Sequence, residues 1–216
     1  MKAYLFSNNR NKVLFTCGMM SALAFALFLF EAVFLHNLSS FGLNWNLFLA
    51  WIPVFIVLYM NTQNIFLSKK KTLIYSLLWL LFFPNAPYII TDLVHLSPYK
   101  GNSYWHHQIM IYTYAFVSLI CGLLSLYWIQ KIWTRTFNPR WSIFFTLSSI
   151  LLSGYGVFLG RIERFNSWDF FTHPMALLKY VLHSFSNSTA ILMTVEFSVF
   201  IGIAYTILYS LIHLND

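Results

Sequence analysis

The strongest constraint in this chain is a series of apolar runs, each long enough to cross a lipid bilayer. A bilayer core is about 30 Å thick and requires roughly 20 residues of helix. Six such runs cover residues 13–35, 46–67, 72–90, 108–129, 141–160 and 189–212. Because a backbone in hydrocarbon must satisfy its own hydrogen bonds, these runs are predicted to be helices. We therefore expect a single transmembrane domain over residues 1–216, an all-α bundle of about six spanning helices.

The composition excludes an ordinary soluble protein. Hydrophobic residues make up 59% of the 216 residues and charged residues only 9%, whereas a soluble chain carries about 25% charged residues. The net charge of +7 comes without any basic domain that could present it to a nucleic acid. The expected partner is the lipid bilayer, and nucleic-acid binding is not expected; the sequence does not identify a protein partner.

The placement of lysine and arginine predicts the orientation in the membrane. If the N-terminus is cytoplasmic, nine of the 13 basic residues fall on the inner side. They are residues 2, 10, 12, 69, 70, 71, 131, 135 and 140. This bias recurs in every inner segment, so both termini are predicted to be cytoplasmic. The first run resembles a signal peptide but is too long for one, and we expect an uncleaved anchor.

The third run is interrupted by two prolines. Pro84 and Pro87 each remove a backbone N–H and disfavour helical geometry at the residue before them. The outer third of this helix is therefore predicted to be kinked or unwound, with Asn85 as a local partner for the carbonyl groups that are freed. An irregular backbone at this depth has to be buried in protein or line a watery cavity. A simple proline kink is the other interpretation of the same residues.

Five of the six acidic residues are predicted to lie at the extracytoplasmic end of the bundle, and only Asp216 is predicted on the inner side. The 1.5 Å rise of a helix places Glu31 about 27 Å along the first helix and Glu196 about 10 Å into the sixth. A carboxylate in a span usually faces the bundle interior or a cavity, because its insertion costs about 2.5–3.5 kcal/mol at the membrane centre. This distribution predicts a polar site that binds a small polar or headgroup-like ligand. The candidate residues are Asn85, Asp92, His95, Arg161, Glu163, Arg164, Asn166, Trp168, Asp169 and Glu196.

A metal site is conceivable from Asp92, His95 and His106, since carboxylate and imidazole ligands suit zinc, manganese or iron. No HExxH or similarly spaced motif supports it, and we predict neither a metal nor a cofactor. His106 and His107 are neighbours and would diverge by about 100° on one helix, so they are poor joint ligands.

The segment between the fifth and sixth runs predicts a short surface helix. Pro174 suits a first helical turn, and apolar residues follow it at helical spacing up to Phe185. That pattern is typical of an amphipathic helix lying on the outer membrane surface. In the fifth run, Gly156 and Gly160 form a small-xxx-small pattern, which indicates close packing between helices.

Three stretches resemble a family of bacterial polytopic membrane proteins catalogued as domain of unknown function 1361. They are FPNAPYIITDLVHL at 83–96, NLFLAWIP at 46–53 and GRIERFNSWD at 160–169. The chain departs from that pattern at Glu163, where a less charged residue is expected, and at 105–107, where an acidic residue is expected. The resemblance implies a bacterial plasma-membrane protein of this topology, and it assigns no activity.

Three kinds of function fit these observations. The first is the polar site just described, which leaves open whether the protein is an enzyme. The second is a non-catalytic subunit of a membrane assembly, in which the motifs only lock helix packing. The third is ion- or proton-coupled transport that uses Glu31 and Glu196, although no internal repeat supports it.

Overall fold

The computed structural model describes residues 2–96, 102–184 and 186–214, with the side chains of 10–66, 68–94, 104–184 and 186–214. These residues form an all-α bundle, and no strand occurs among them. The helices, numbered in chain order, are α1 (Lys2–Phe34), α2 (Phe41–Thr62), α3 (Lys69–Phe82), α4 (Asn85–Tyr88), α5 (Asn102–Thr136), α6 (Pro139–Arg161), α7 (Asp169–Thr172), α8 (Pro174–Ser184) and α9 (Ser188–Ile212). Short 3-10 helices cover Ile65–Leu67 and Ile89–Leu96.

Six helical stretches in the described part of the chain are long and apolar enough to cross a membrane. They are Arg10–Phe34, Phe41–Thr62, Lys69–Val94, Tyr104–Thr136, Pro139–Arg161 and Ser188–Ile212. The predicted fold class is confirmed, including the broken third helix and the short helix between the fifth and sixth spans.

The second span begins at Phe41 instead of Asn46, and the reason is where its polar residues point. The Asn44 side chain accepts a hydrogen bond from Tyr114 at 2.6 Å. The Asn46 amide donates to Asp92 at 3.4 Å. These amides interrupt the apolar run in the sequence but face other helices, so the helix extends past them.

Local sequence signals set several helix ends. The Asn138 side chain accepts a hydrogen bond from the backbone of Trp141, and Pro139 occupies the first turn of α6. The Asn187 side chain accepts hydrogen bonds from the backbone N–H groups of Thr189 and Ala190 at the start of α9. Such caps satisfy N–H groups that have no partner inside the helix.

Helix α5 is the centre of the bundle and α9 lies at its edge. Of the residues in the most apolar stretch of α5, 72% are buried. The corresponding share for α9 is 11%. Helix α5 contacts α1, α2, α3, α4, α6 and α9, while α9 packs mainly on α6. The last helix therefore leaves most of its surface outside the bundle.

Candidate functional site: the broken third helix and its polar surroundings

At the break in the third span, side-chain groups donate hydrogen bonds to two backbone carbonyls at the end of α3. Helix α3 ends at Phe82, and Pro84 has no N–H to continue it. The Leu81 carbonyl accepts a hydrogen bond from the Ser167 hydroxyl at 2.9 Å, and the Phe82 carbonyl accepts one from the Asn85 amide at 2.8 Å. The Asn85 amide also donates to Ser167 at 2.9 Å. The predicted local role of Asn85 is confirmed, and a loop far along the chain supplies the second donor.

The residue before the first proline does not behave as predicted. Phe83 has right-handed helical angles, with φ −56° and ψ −40°. Its carbonyl accepts a tight hydrogen bond from the N–H of Ala86 at 3.1 Å. Packing against other helices fixes this geometry, because Phe83 is buried in an apolar cluster that includes Met60 of α2, Leu126 of α5 and Ile150 of α6. The prediction of non-helical backbone at Phe83 was wrong, and tertiary packing is the reason.

Small residues on two neighbouring helices leave room for the broken segment. A Cβ atom on Gly156 would lie 2.6 Å from the Pro84 ring, and one on Gly122 would lie 2.6 Å from the Ala86 side chain. The Ala86 carbonyl accepts a hydrogen bond from the Ser118 hydroxyl at 2.9 Å. The small-xxx-small pattern at Gly156 therefore marks close packing, as predicted. The segment that packs against it is the break between α3 and α4.

Asp92 and Arg161 form an ion pair next to this break. The Arg161 Nη1 atom donates to Asp92 Oδ1 at 2.9 Å, and Asn46 donates to Asp92 Oδ2 at 3.4 Å. The side chain of Asp92 is 9% exposed and that of Arg161 is 20% exposed. The pair joins the 3-10 helix after the break to the end of α6 and the start of α2. The guanidinium is thus oriented by a buried carboxylate, while the arginine side chain as a whole is partly exposed.

The loop after α6 carries three of the remaining candidate residues to the surface. Arg164 is exposed and has a left-handed backbone, with φ 59°. Asn166 is exposed too, and its backbone N–H donates to Asp169 Oδ2 at 2.6 Å. The Trp168 ring, 38% exposed, meets the exposed ring of Trp45 edge-on, with centroids 6.1 Å apart.

Asp169 and Glu163 have local partners. The bond from the Asn166 backbone is the main cause that lowers the pKa of Asp169, and bonds from Thr172 and His173 lower it further against the effect of burial. Burial, and then a hydrogen bond to Glu163, raise the pKa of Tyr180 to about 12. Both acids therefore stabilise the connection between α6 and α8 and do not join Asp92.

A second buried polar cluster was not anticipated. Glu31 is 1% exposed, and its Oε1 atom accepts hydrogen bonds from Asn37 at 2.8 Å and Ser40 at 3.2 Å. Its Oε2 atom lies 3.0 Å from Nδ1 of His107, which is also buried. The cluster ties the end of α1 to the start of α5. The sequence alone also allowed Glu31 to reach water at a membrane interface. The only sequence signal for its pairing with His107 was the similar predicted depth of these two residues.

The other candidates lie apart. His106 Nε2 is 3.1 Å from the Leu27 carbonyl. His95 belongs to the 3-10 helix Ile89–Leu96, but its side chain lies outside the described ones. Glu196 is exposed on α9 and belongs to none of the hydrogen bonds or ion pairs above. Where side chains are described, no three His, Cys, Asp or Glu residues gather in a way that could hold a metal ion.

The fold and these polar clusters together define a multi-pass, all-α membrane protein with a broken third span. The chain belongs to the family described as Protein of unknown function (DUF1361), whose model matches residues 45–204. That range contains Asn46, Asp92, Arg161 and the loop after α6. The curated proteins and the solved structures gave no match to the chain.

Proposed function

We propose that this is a bacterial plasma-membrane protein with both termini in the cytoplasm, so that Asp92 and Arg161 lie at the extracytoplasmic end. The basic residues support this orientation. Lys69, Lys70 and Lys71 begin α3, and Arg135 and Arg140 lie at the end of α5 and the start of α6. Hydrogen bonds from Thr136 to Phe66 and between Thr72 and Thr136 join these helix ends. A cytoplasmic location for this end agrees with the positive-inside rule.

Cysteine labelling tests this orientation. Cys17 and Cys121 are buried and unbridged, so they are replaced by serine first. Arg164→Cys and Lys70→Cys, both at exposed positions, are then treated with a membrane-impermeant maleimide on intact cells. We expect labelling of the first variant in intact cells and of the second only after permeabilisation. The reverse pattern would place the Asp92 end in the cytoplasm.

We further propose that the Asp92 end binds a phosphate-bearing headgroup. The observation that carries this proposal is the Arg161–Asp92 pair, in which a buried carboxylate orients the guanidinium of a partly exposed arginine side chain. Arginine donates two parallel hydrogen bonds to a phosphate or carboxylate and is the usual residue for such anions. The exposed Arg164 adds a second cation three residues further on.

The neighbouring surface favours a lipid as the source of that headgroup. Trp45 and Trp168 expose their rings here, and tryptophan is enriched at the level of lipid headgroups. Helices α7 and α8 follow the loop and leave large apolar side chains exposed, namely Phe170, Phe171, Met175, Leu178 and Leu182. An apolar helix face of this kind lies in the membrane interface. The two arginines would then meet anions at headgroup depth.

Two other functions receive less support from the geometry. Transport through Glu31 and Glu196 would require a polar path between them, whereas Glu31 is enclosed by Asn37, Ser40 and His107. A purely structural role agrees with the local pairing of Asp169 and Glu163. A purely structural role does not explain why Arg164 and the pair of Trp45 and Trp168 are exposed at this end.

A lipid-binding assay tests the headgroup proposal. The purified protein is titrated with short-chain phosphatidylglycerol, short-chain phosphatidylcholine and glycerol phosphate, with binding followed by native mass spectrometry. We expect phosphatidylglycerol to bind and Arg164→Gln to weaken it by about tenfold, as the loss of a charge-assisted hydrogen bond predicts. Competition by glycerol phosphate would indicate that the headgroup alone is recognised.

The matched control is Lys179→Gln, which removes one positive charge from an exposed position on α8. This variant is expected to bind phosphatidylglycerol like the parent protein. Equal loss in both variants would reveal nonspecific attraction to surface charge. Equal binding of both lipids by the parent would refute recognition of an anionic headgroup.

A further inference from the structure

Helix α9 carries a continuous stripe of exposed residues along its outer face. Their spacing alternates between three and four, which is the spacing of a helix–helix seam with a heptad repeat. The stripe consists of Thr189, Leu192, Glu196, Val199, Ile203, Thr206 and Ser210, all exposed. Transmembrane helices commonly pack in this left-handed geometry.

The opposite face of α9 is already occupied. A Cβ atom on Gly154 of α6 would lie 2.5 Å from both the Ser198 hydroxyl and the Thr194 carbonyl of α9. Ser198 also donates to the Ile150 carbonyl of α6 at 3.4 Å. This contact fixes the rotation of α9 about its axis, so the stripe points away from the bundle.

Glu196 gives the stripe its significance. An acidic side chain in a membrane span usually faces the interior of a bundle, because exposure to hydrocarbon is costly. Here Glu196 lies on an exposed face of a predicted span. A second helix that covers this face would shield the carboxyl group and provide it with a hydrogen-bond partner.

We propose that the stripe is the docking surface for a second copy of this chain, packed α9 against α9 about a two-fold axis. In such a contact each patch meets its own copy. Three of the four polar side chains on the stripe are suited to pairing with themselves. The hydroxyl groups of Thr189 and Ser210 both donate and accept, and so does a carboxyl pair that shares one proton at Glu196. The Thr206 hydroxyl donates to the Gly202 carbonyl of its own helix at 2.8 Å, and its oxygen remains an acceptor. No lysine or arginine lies on the stripe to prevent this pairing.

Cysteine cross-linking in native membranes tests the contact. In the background without Cys17 and Cys121, the stripe variant is Leu192→Cys and its matched control is Ile191→Cys. The two positions are adjacent and about equally exposed, at 58% and 53%, but point about 100° apart. We expect oxidation to give a disulfide-linked dimer for Leu192→Cys and essentially none for Ile191→Cys. Equal cross-linking in the two variants would overturn the proposed seam.

A measurement without introduced cysteines tests the role of Glu196. Single-molecule photobleaching in bilayers counts the subunits of the parent chain, Glu196→Gln and Glu196→Leu. We expect dimers for the parent chain and for Glu196→Gln, whose amide also donates and accepts. Glu196→Leu should raise the dimer dissociation constant by about tenfold, as the loss of an interhelical hydrogen bond predicts. A monomeric parent chain, or a Leu variant as dimeric as the parent, would refute the proposal.

Discussion

Gly156 of α6 lies directly against Pro84 at the break of the third span. A Cβ atom on Gly156 would come within 2.6 Å of Cγ and 2.7 Å of Cβ of the proline ring. The ring of a proline cannot swing aside as a long side chain can. The glycine and the proline therefore depend on each other, and the break fits only where α6 has no side chain.

The first prediction concerns this contact. Gly156→Ala should lower the free energy of unfolding by about 1–3 kcal/mol, the usual cost of overpacking a tight interior. The matched control is Gly202→Ala in α9, where an added Cβ meets nothing within 4 Å. This control should be neutral or more stable by up to about 1 kcal/mol, because alanine is the better helix former. Unfolding in mixed micelles with increasing dodecyl sulfate provides both values, and equal effects would contradict the close contact.

The second prediction concerns the buried carboxylate at the end of α1. Glu31→Leu removes the carboxylate that Asn37, Ser40 and His107 contact, and buried polar groups then lose a hydrogen-bond partner. Each such loss costs about 1–3 kcal/mol, so the variant should be strongly destabilised in the same unfolding assay. Glu31→Gln keeps one acceptor oxygen and should lose less. A Leu variant as stable as the parent would show that the cluster contributes nothing to folding.

The third prediction concerns acid conditions at α7. Because the Asn166 backbone N–H lowers the pKa of Asp169, the ionised carboxylate stabilises the folded turn. This contribution is complete above the ordinary aspartate pKa of about 4 and is lost as the pH falls through the lower folded value. The protection factors of the α7 amide hydrogens, which are exchange rates divided into the intrinsic rate at the same pH, should therefore fall below pH 4. Asp169→Asn should remove that pH-dependent loss of protection, and an unchanged pH profile in this variant would assign the effect to another group.

The sequence predicted the architecture because bilayer thickness and backbone hydrogen bonding leave few alternatives for long apolar runs. It also indicated Asn85 as a local donor, since that residue lies beside the carbonyl it serves. The contribution of Ser167 was not predictable, because the hydroxyl reaches Leu81 from a loop far along the chain. Pairings between distant helices, such as Glu31 with His107, depend on rotation and depth together. No local pattern in a single sequence specifies both.

The site residues also divide into features that the sequence predicts and contacts that it does not. The candidates at the Asp92 end were selected by predicted depth alone, and the structure divides them into separate contacts. Asp92 pairs with Arg161, while Asp169 bonds to its neighbour Asn166. Glu196 was chosen for its depth as well, but depth alone does not show which way a side chain faces. The packing of Gly154 against α9 decides that direction.

The hydrogen bond from Ser167 to Leu81 makes the surface loop part of the interior of the third span. If the loop moved away, the Leu81 carbonyl and the Asn85 amide would each lose a partner at membrane depth, where water does not replace it. The position of Arg161 and Arg164 is thus linked to the state of the helix break. A displacement of the loop on the surface would therefore remove hydrogen bonds from the break inside the bundle.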